Sequence, residues 1–316
     1  MARGVTITNL AVDGSNNKIK TCNVDVVGIF FQNATGSVNH VATRNQKLGP
    51  GLTGCQDGEG IWIQNDNGRF VGSGAVKVTN SSVHAFQKNG ITANEQGTFA
   101  TIAFNTIEGQ GPTRGASENG VQVGFGAQAA VQFNSIIDSI WSPDTIADPA
   151  DAATGILVYA SKAVVVTRNT VGNTQNAIVF VGDDQAGSAD NGQVTFNTVF
   201  GTHIFDGIIL CSNNNFAGYN TVNHSDESGI NLQGQQACGL TLKTGNNNNV
   251  VANSVNEACA GILKGPDTSG NSILGNSFFN DVQTILTANS CPAVIALTAA
   301  SARSSSRGAK RFQPIR

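Results

Sequence analysis

The chain has 316 residues, a formal net charge of −3 and only 12% charged residues, with 37 glycines, six cysteines and one methionine. That length holds one or two domains with a sizeable core; normal apolar content excludes global disorder, and the missing basic excess excludes the electrostatic footprint of a nucleic-acid binder. No apolar run reaches the ~18 residues of a membrane span, and Asn, about one residue in nine, joins Gly, Val and Ile in favouring strands and turns over helices.

At the N-terminus, MARGVTITNLAVDG lacks the apolar stretch of a signal peptide and reads as a strand already under way. The expectation is a removed leader or a longer parent chain. From residue 28 a phrase Gly-apolar-X-apolar recurs: GIFF (28), GIWI (60), GITA (90), GVQV (120), GILV (155), AIVF (177), GIIL (207), GINL (229) and GILK (261). A second phrase, Asn then Thr or Ser then an apolar residue, is interleaved with it: FNTI (104–107), FNSI (133–136), RNTV (168–171), FNTV (196–199), YNTV (219–222), ANSV (252–255) and GNSF (275–278). The unit is about 22 residues with insertions, and fixed-period self-similarity marks a repeat architecture. Apolar residues alternate within a unit, as in Ile61/Ile63 and Val121/Val123, so each unit holds two or three short strands separated by tight turns.

Asn suits the corner, because it tolerates left-handed backbone and bonds to nearby backbone groups, and stacked Asn residues bond up the pile. Gly suits a corner where a Cβ would clash. Insertions at 44–59, 108–119 and 138–154 fall in one interval of the unit, where they would wall a groove. Those around 65–75, 183–192 and 235–249 fall in the other. Length drift on a tolerant scaffold is the alternative. Cys22, Cys55, Cys211, Cys238, Cys259 and Cys291 contain no CxxC pair and allow up to three disulfides. Cys238–Cys259 is the favoured pair, from adjacent repeats; buried free thiols are the alternative. Residues 281–316 break the repeat, leaving a β-helix domain at 1–280 and a C-terminal segment that packs in part and then becomes a disordered basic tail. Leu157, Val179 and Ile209 would form an outward apolar strip, which 290–300 is expected to cover.

These phrases resemble the right-handed parallel β-helix repeat family with the pectin-lyase-like architecture, over roughly residues 4–280. The resemblance implies an all-β solenoid of about ten coils. It also implies a fold that hosts lyases, hydrolases, epimerases, adhesins and tailspikes. Three short matches to enzymes of that fold are incomplete. Gly182-Asp183-Asp184 resembles the paired aspartates of polygalacturonase-like hydrolases, without their Gly-His-Gly or Arg-Ile-Lys partners. Asp148-Pro149-Ala150-Asp151 resembles the Asp-Pro-His-Asp of alginate epimerases, with Ala150 in place of the His. Asn39-His40 resembles the Asp-His strand of pectate lyases, without the basic signatures downstream.

Two constellations carry candidate chemistry. The residue before the Asn is Phe104, Phe133, Arg168, Phe196 and Tyr219 in successive units, a column able to stack on sugar rings and hold a carboxylate or hydroxyl. A buried Arg168 would need a partner, so the column is expected to be open to solvent, either as a glycan-binding edge or as a structural corner stack. Before the Gly lie His203 and Asp206, then His224, Asp226 and Glu227, as candidate acid–base groups; Asp206, Asp226 and Glu227 are also candidate Ca2+ ligands. Simple solvation of a corner is the alternative. From 169 to 302 nine acids face two lysines, which points to a neutral glycan or a bridging cation. The reading is a secreted or cell-surface β-helix acting on polysaccharide as lyase, hydrolase or epimerase, with a non-catalytic binding, adhesin or structural module as the alternative.

Overall fold

A computed structural model describes residues 2–22, 24–49, 51–65, 74–141 and 152–291. The chain winds as a solenoid with three series of short strands. The first series builds a ten-stranded sheet from Ala2–Thr8 to Ser272–Leu274, each strand pairing parallel with its counterparts in the neighbouring coils. The second and third series make two further faces. They merge into one eighteen-stranded sheet because Thr221–Leu232 and Ser254–Lys264 run through both. Pairing continues past the boundary expected at residue 280, since Gln283–Thr287 pairs parallel with Ser254–Lys264.

Alternation places one apolar residue of each strand inside and stacks it on its equivalent in the next coil. Ile61, Ile91, Val121, Ile156, Ile178, Ile208, Ile230 and Ile262 form one such file, in register and fully buried. Each side chain so buried is worth about 1.5–3 kcal/mol. The recurring Gly sits where this file is tightest. A Cβ on Gly120 would clash with Ile136 Cγ2 and stand 2.7 Å from the Gly155 carbonyl oxygen.

The recurring Asn is a buried ladder. Asn134 donates from its backbone N–H and its Nδ2 to Asn169 Oδ1, at 3.0 and 2.9 Å. Asn169 repeats the pattern on Asn197, Asn197 on Asn220, Asn220 on Asn253. Each Nδ2 also donates to a carbonyl of an adjacent coil, as Asn169 does to Val131. One side chain thus satisfies several interior backbone groups that would otherwise be desolvated without partners.

Three disulfides close the described chain: Cys22–Cys55, Cys211–Cys238 and Cys259–Cys291. The expected Cys238–Cys259 bond does not form. Cys238 ends a short helix, Gln235–Cys238, inside the 235–249 excursion, which folds back on the strand Ile208–Cys211 rather than adding a repeat. The same excursion corrects the reading of the apolar strip. Leu157, Val179 and Ile209 are fully buried and cluster with Cys211, Cys238 and Leu240. Of the segment 290–300 assigned to cover them, residues from 292 on lie outside the described residues, as does the basic tail; Cys291 packs with Leu263 and Leu286 instead.

Candidate functional site

The residue before each ladder Asn turns the corner in the left-handed region, with φ of 59° at Phe104, 56° at Phe133, 55° at Arg168, 56° at Phe196 and 60° at Tyr219. This geometry swings the side chain out. The four aromatics are 41–56% exposed, and Arg168 is exposed too. Phe104 stacks on Phe133 with centroids 4.9 Å apart and planes 5° from parallel; Phe196 stacks on Tyr219 at 5.0 Å and 8°. Arg168 fills the gap, its Cζ 5.6 Å from the Phe133 centroid and 5.1 Å from that of Phe196. A planar guanidinium continues a stack of rings where an ammonium would not. Five coils therefore present one unbroken π–cation–π strip to solvent.

That strip is held against backbone preference. A side chain in left-handed geometry costs roughly 1 kcal/mol or more, which Gly avoids and Asn reduces. The same file reads Asn9, His40 and Asn80 below the strip, and Ala252 and Gly275 above it. The central coils thus carry bulky rings at positions where Asn or Gly would fold more easily.

A second left-handed corner lies four residues after the ladder Asn, at Asp138, Asn173, Gly201, His224 and Glu257. It assembles a chain that the sequence reading missed. Asn173 Nδ2 donates to Asp138 Oδ1, and His203 Nε2 donates to Asn173 Oδ1 at 2.8 Å. The carboxylate fixes the amide, the amide fixes the imidazole tautomer, and His203 Nδ1 is left as the acceptor. Burial holds His203 below the ordinary imidazole value; Asp226 opposes that and His224 reinforces it. His203 is thus a neutral base at neutral pH. A position-by-position reading after each Asn would have exposed this column.

Only part of the expected acid–base cluster gathers here. Pairing of Thr202 with Ser225 sets His203 beside Asp226 on the next coil. Asp226 accepts the Ile204 N–H at 2.7 Å and stands 4.0 Å from His224, which is 3.6 Å from Glu257. Asp206 does not join them. It is wholly buried in the third face and accepts hydrogen bonds from Ser228 Oγ at 2.6 Å and Asn231 Nδ2 at 3.0 Å. Glu227 is also buried, accepting the Cys291 N–H. The register of Thr221–Leu232 shifts between Ser225 and Ser228, and at that shift Asp226 is exposed and Glu227 buried. Asp206, Asp226 and Glu227 therefore do not form a Ca2+ site, and among the described residues no group of three or more His, Cys, Asp or Glu could hold a metal ion.

The strand Thr198–Thr202 follows the first corner and contains the second, at Gly201. Its Phe200, 40% exposed, lies with its ring over Gly172 of the preceding coil. It falls between Phe196 and His203 in the chain, and its place outside both recurring phrases hid it from the sequence reading.

No known protein-family profile matches the chain, and no curated protein matches it. Solved structures are similar. Two structures of the periplasmic alginate epimerase AlgG, a single and a double mutant, align with TM-scores of 0.53 and 0.54. Each match covers 90% of this chain and 70% of the epimerase chain, at 10% and 11% identity. The chain is a parallel β-helix protein. A Dettilon tailspike protein also matches, over 78% of this β-helix and 62% of its own chain, at TM-score 0.40 and 15% identity. Identities this low speak for the fold and leave the site to be argued from its own residues.

The enzyme-like dipeptides of this β-helix serve its loops. Asp183 accepts from Tyr159 Oη and from the N–H groups of Gln185 and Ala186. Asp184 accepts from the N–H groups of Thr241 and Leu242 and ties down the 235–249 excursion. Asn39 bonds Thr79, Asn80 and His40. Asp148–Asp151 lies outside the described residues. The 44–59 and 108–119 insertions do meet: Gly54 donates to the Arg114 carbonyl, and Lys47 Nζ donates to Gln110 Oε1. Beneath them lies a buried group of ionisable side chains the sequence reading missed, Glu59, Lys88 and Glu118. Burial pushes Glu59 up to about 8 and Glu118 well above the usual carboxyl range.

Proposed function

We propose that this β-helix engages polysaccharide along the Phe104–Phe133–Arg168–Phe196–Tyr219 strip, the rings stacking on sugar faces and Arg168 taking a carboxylate or hydroxyl. The supporting observation is that five consecutive coils keep large side chains in left-handed geometry, at a cost to folding, and leave them in solvent. The coil spacing of about 4.8 Å lets a chain meet a fresh ring at each coil. The similarity to a periplasmic alginate epimerase agrees with a polysaccharide ligand. Three disulfides fit a secreted or cell-surface site, since such bonds persist in oxidising compartments; among the described residues no helix is long and apolar enough to cross a membrane. The test is affinity electrophoresis and calorimetry against acidic and neutral polysaccharides. Retardation that disappears in a Phe133→Asn/Phe196→Asn variant supports the reading. Equal behaviour of variant and parent would sink it.

A second reading, that the glycan is also turned over, is favoured by the Asp138–Asn173–His203 chain with Asp226 alongside. An oriented neutral imidazole is suited to proton abstraction. New reducing ends together with unsaturated-uronide absorbance would report a lyase, and new ends alone a hydrolase. Turnover is expected to be lost in His203→Gln while binding stays intact. Uniform silence of the wild type, with an isomer assay for epimerisation also silent, leaves binding alone.

A further inference from the structure

A cavity of about 590 Å³ lies at the corner that precedes the strand Phe216–Gly218, whose other end leads into Tyr219 of the strip. Such a volume is the size of a small-molecule site. Its floor is a second Asn file. Asn246 N–H donates to Asn213 Oδ1 at 3.0 Å and Ser269 N–H to Asn246 Oδ1 at 2.7 Å. Its wall is the 235–249 excursion, braced at several points. The Cys211–Cys238 disulfide and Asp184 hold one side, and Asn213 Nδ2 and Asn246 Nδ2 grip the Lys243 and Thr244 carbonyls at 2.8 and 2.9 Å. A wall so fixed loses little freedom on binding.

Every lining residue has a polar side chain, and none carries a ring. Asn213 and Asn246 are committed to the floor. The side chains of Asn214, Asn247, Gln235 and Lys243 make no hydrogen bond to the described residues and remain for a ligand. Each amide offers both donor and acceptor atoms, as a sugar hydroxyl does. One cation, Lys243, is balanced by one anion, Asp267, so the pocket has no net charge to attract an ion. The surrounding half of the chain is acidic and disfavours anions.

We propose that this pocket is a second carbohydrate site that takes a neutral sugar unit, read through its hydroxyls rather than its ring face. The choice of ligand rests on the polysaccharide reading; the site is separate from the strip. The test is saturation-transfer NMR and calorimetry with glucose, galactose, mannose and their oligomers, using galacturonate oligomers as the acidic counterpart. It compares wild type, Lys243→Met/Gln235→Leu, and Phe133→Asn/Phe196→Asn. Neither the Lys243 nor the Gln235 side chain bonds the described residues, and their backbone bonds survive substitution, so the pocket variant should keep the parent melting temperature. A neutral sugar should bind wild type and the strip variant alike, and weaken about tenfold or more in the pocket variant, as for a lost hydrogen bond to a charged group. No neutral sugar binding at millimolar concentration, a loss that follows the strip variant instead, or pocket-dependent binding of galacturonate oligomers only, would each overturn the proposal. Failure of strip-dependent binding alone would count against the proposed function and leave the pocket standing.

Discussion

Single residues of this protein divide between those that hold the coils and those that face solvent, and substitutions separate the two. Asn169→Ala removes the acceptor of two Asn134 donors and the donor to Val131 and Asn197, all buried. Unpaired buried groups cost about 1–3 kcal/mol each, so the variant should lose about 3 kcal/mol or more in chemical denaturation. Phe196→Asn should behave oppositely. Relief of left-handed strain offsets the lost stacking, which is worth about 0.5–1.5 kcal/mol, so stability should hardly move while polysaccharide affinity falls about tenfold. Both columns were legible in the sequence because each keeps a fixed offset from a recurring Asn. The column at the second corner has the same offset regularity, but its members, Asp138, Asn173, Gly201, His224 and Glu257, share no chemistry that would announce it. His203 was therefore found without the two residues that orient it.

Short strands and one excursion do the work at the next scale. The Gly of each third-face strand lets the coil close on the apolar residue behind it, and Gly120→Ala would drive a methyl into Ile136 and the Gly155 carbonyl. Overpacking of this kind costs about 1–3 kcal/mol, and a lowered denaturation midpoint with unchanged slope would show it. The strands and their inward files follow directly from period-2 alternation. The 235–249 excursion does not, because it has no period and its helix is a single turn; with it went the pairing of Cys238 and the cover over Leu157, Val179 and Ile209. Converting Cys211 and Cys238 to Ala should cost about 3 kcal/mol for a loop of this length. It should also open the excursion, so limited proteolysis in 235–244 should quicken while the rest of the solenoid stays resistant.

At the scale of the whole molecule, two buried acids of the N-terminal half, Glu59 and Glu118, give stability a pH dependence. Glu59 has a folded value of about 8 against 4.5 in the unfolded chain. Its stabilising share is complete below the unfolded value and is lost as pH rises through the folded one; Glu118 acts in the same direction. His203, held low, has the opposite sense: its share is present above its unfolded value of 6.5 and is lost as pH falls through its lowered folded value. Above about pH 7 the carboxyls therefore act alone, and the melting temperature should fall towards about pH 9. Glu59→Gln should make that slope shallower. A flat or rising profile in both proteins would mean that the acids are ionised in the fold.

Two of the disulfides sit near opposite ends of the described solenoid. Cys22–Cys55 ties residues of the first coils, and Cys259–Cys291 ties those of the last. In a stack where each coil touches only its neighbours, unravelling starts at the ends and travels inward like a zip. The two crosslinks are stops on that zip. Under reducing conditions the rod should peel from its ends at low force in a pulling experiment, one coil after another. Oxidised, it should hold until a larger central block yields in a single step.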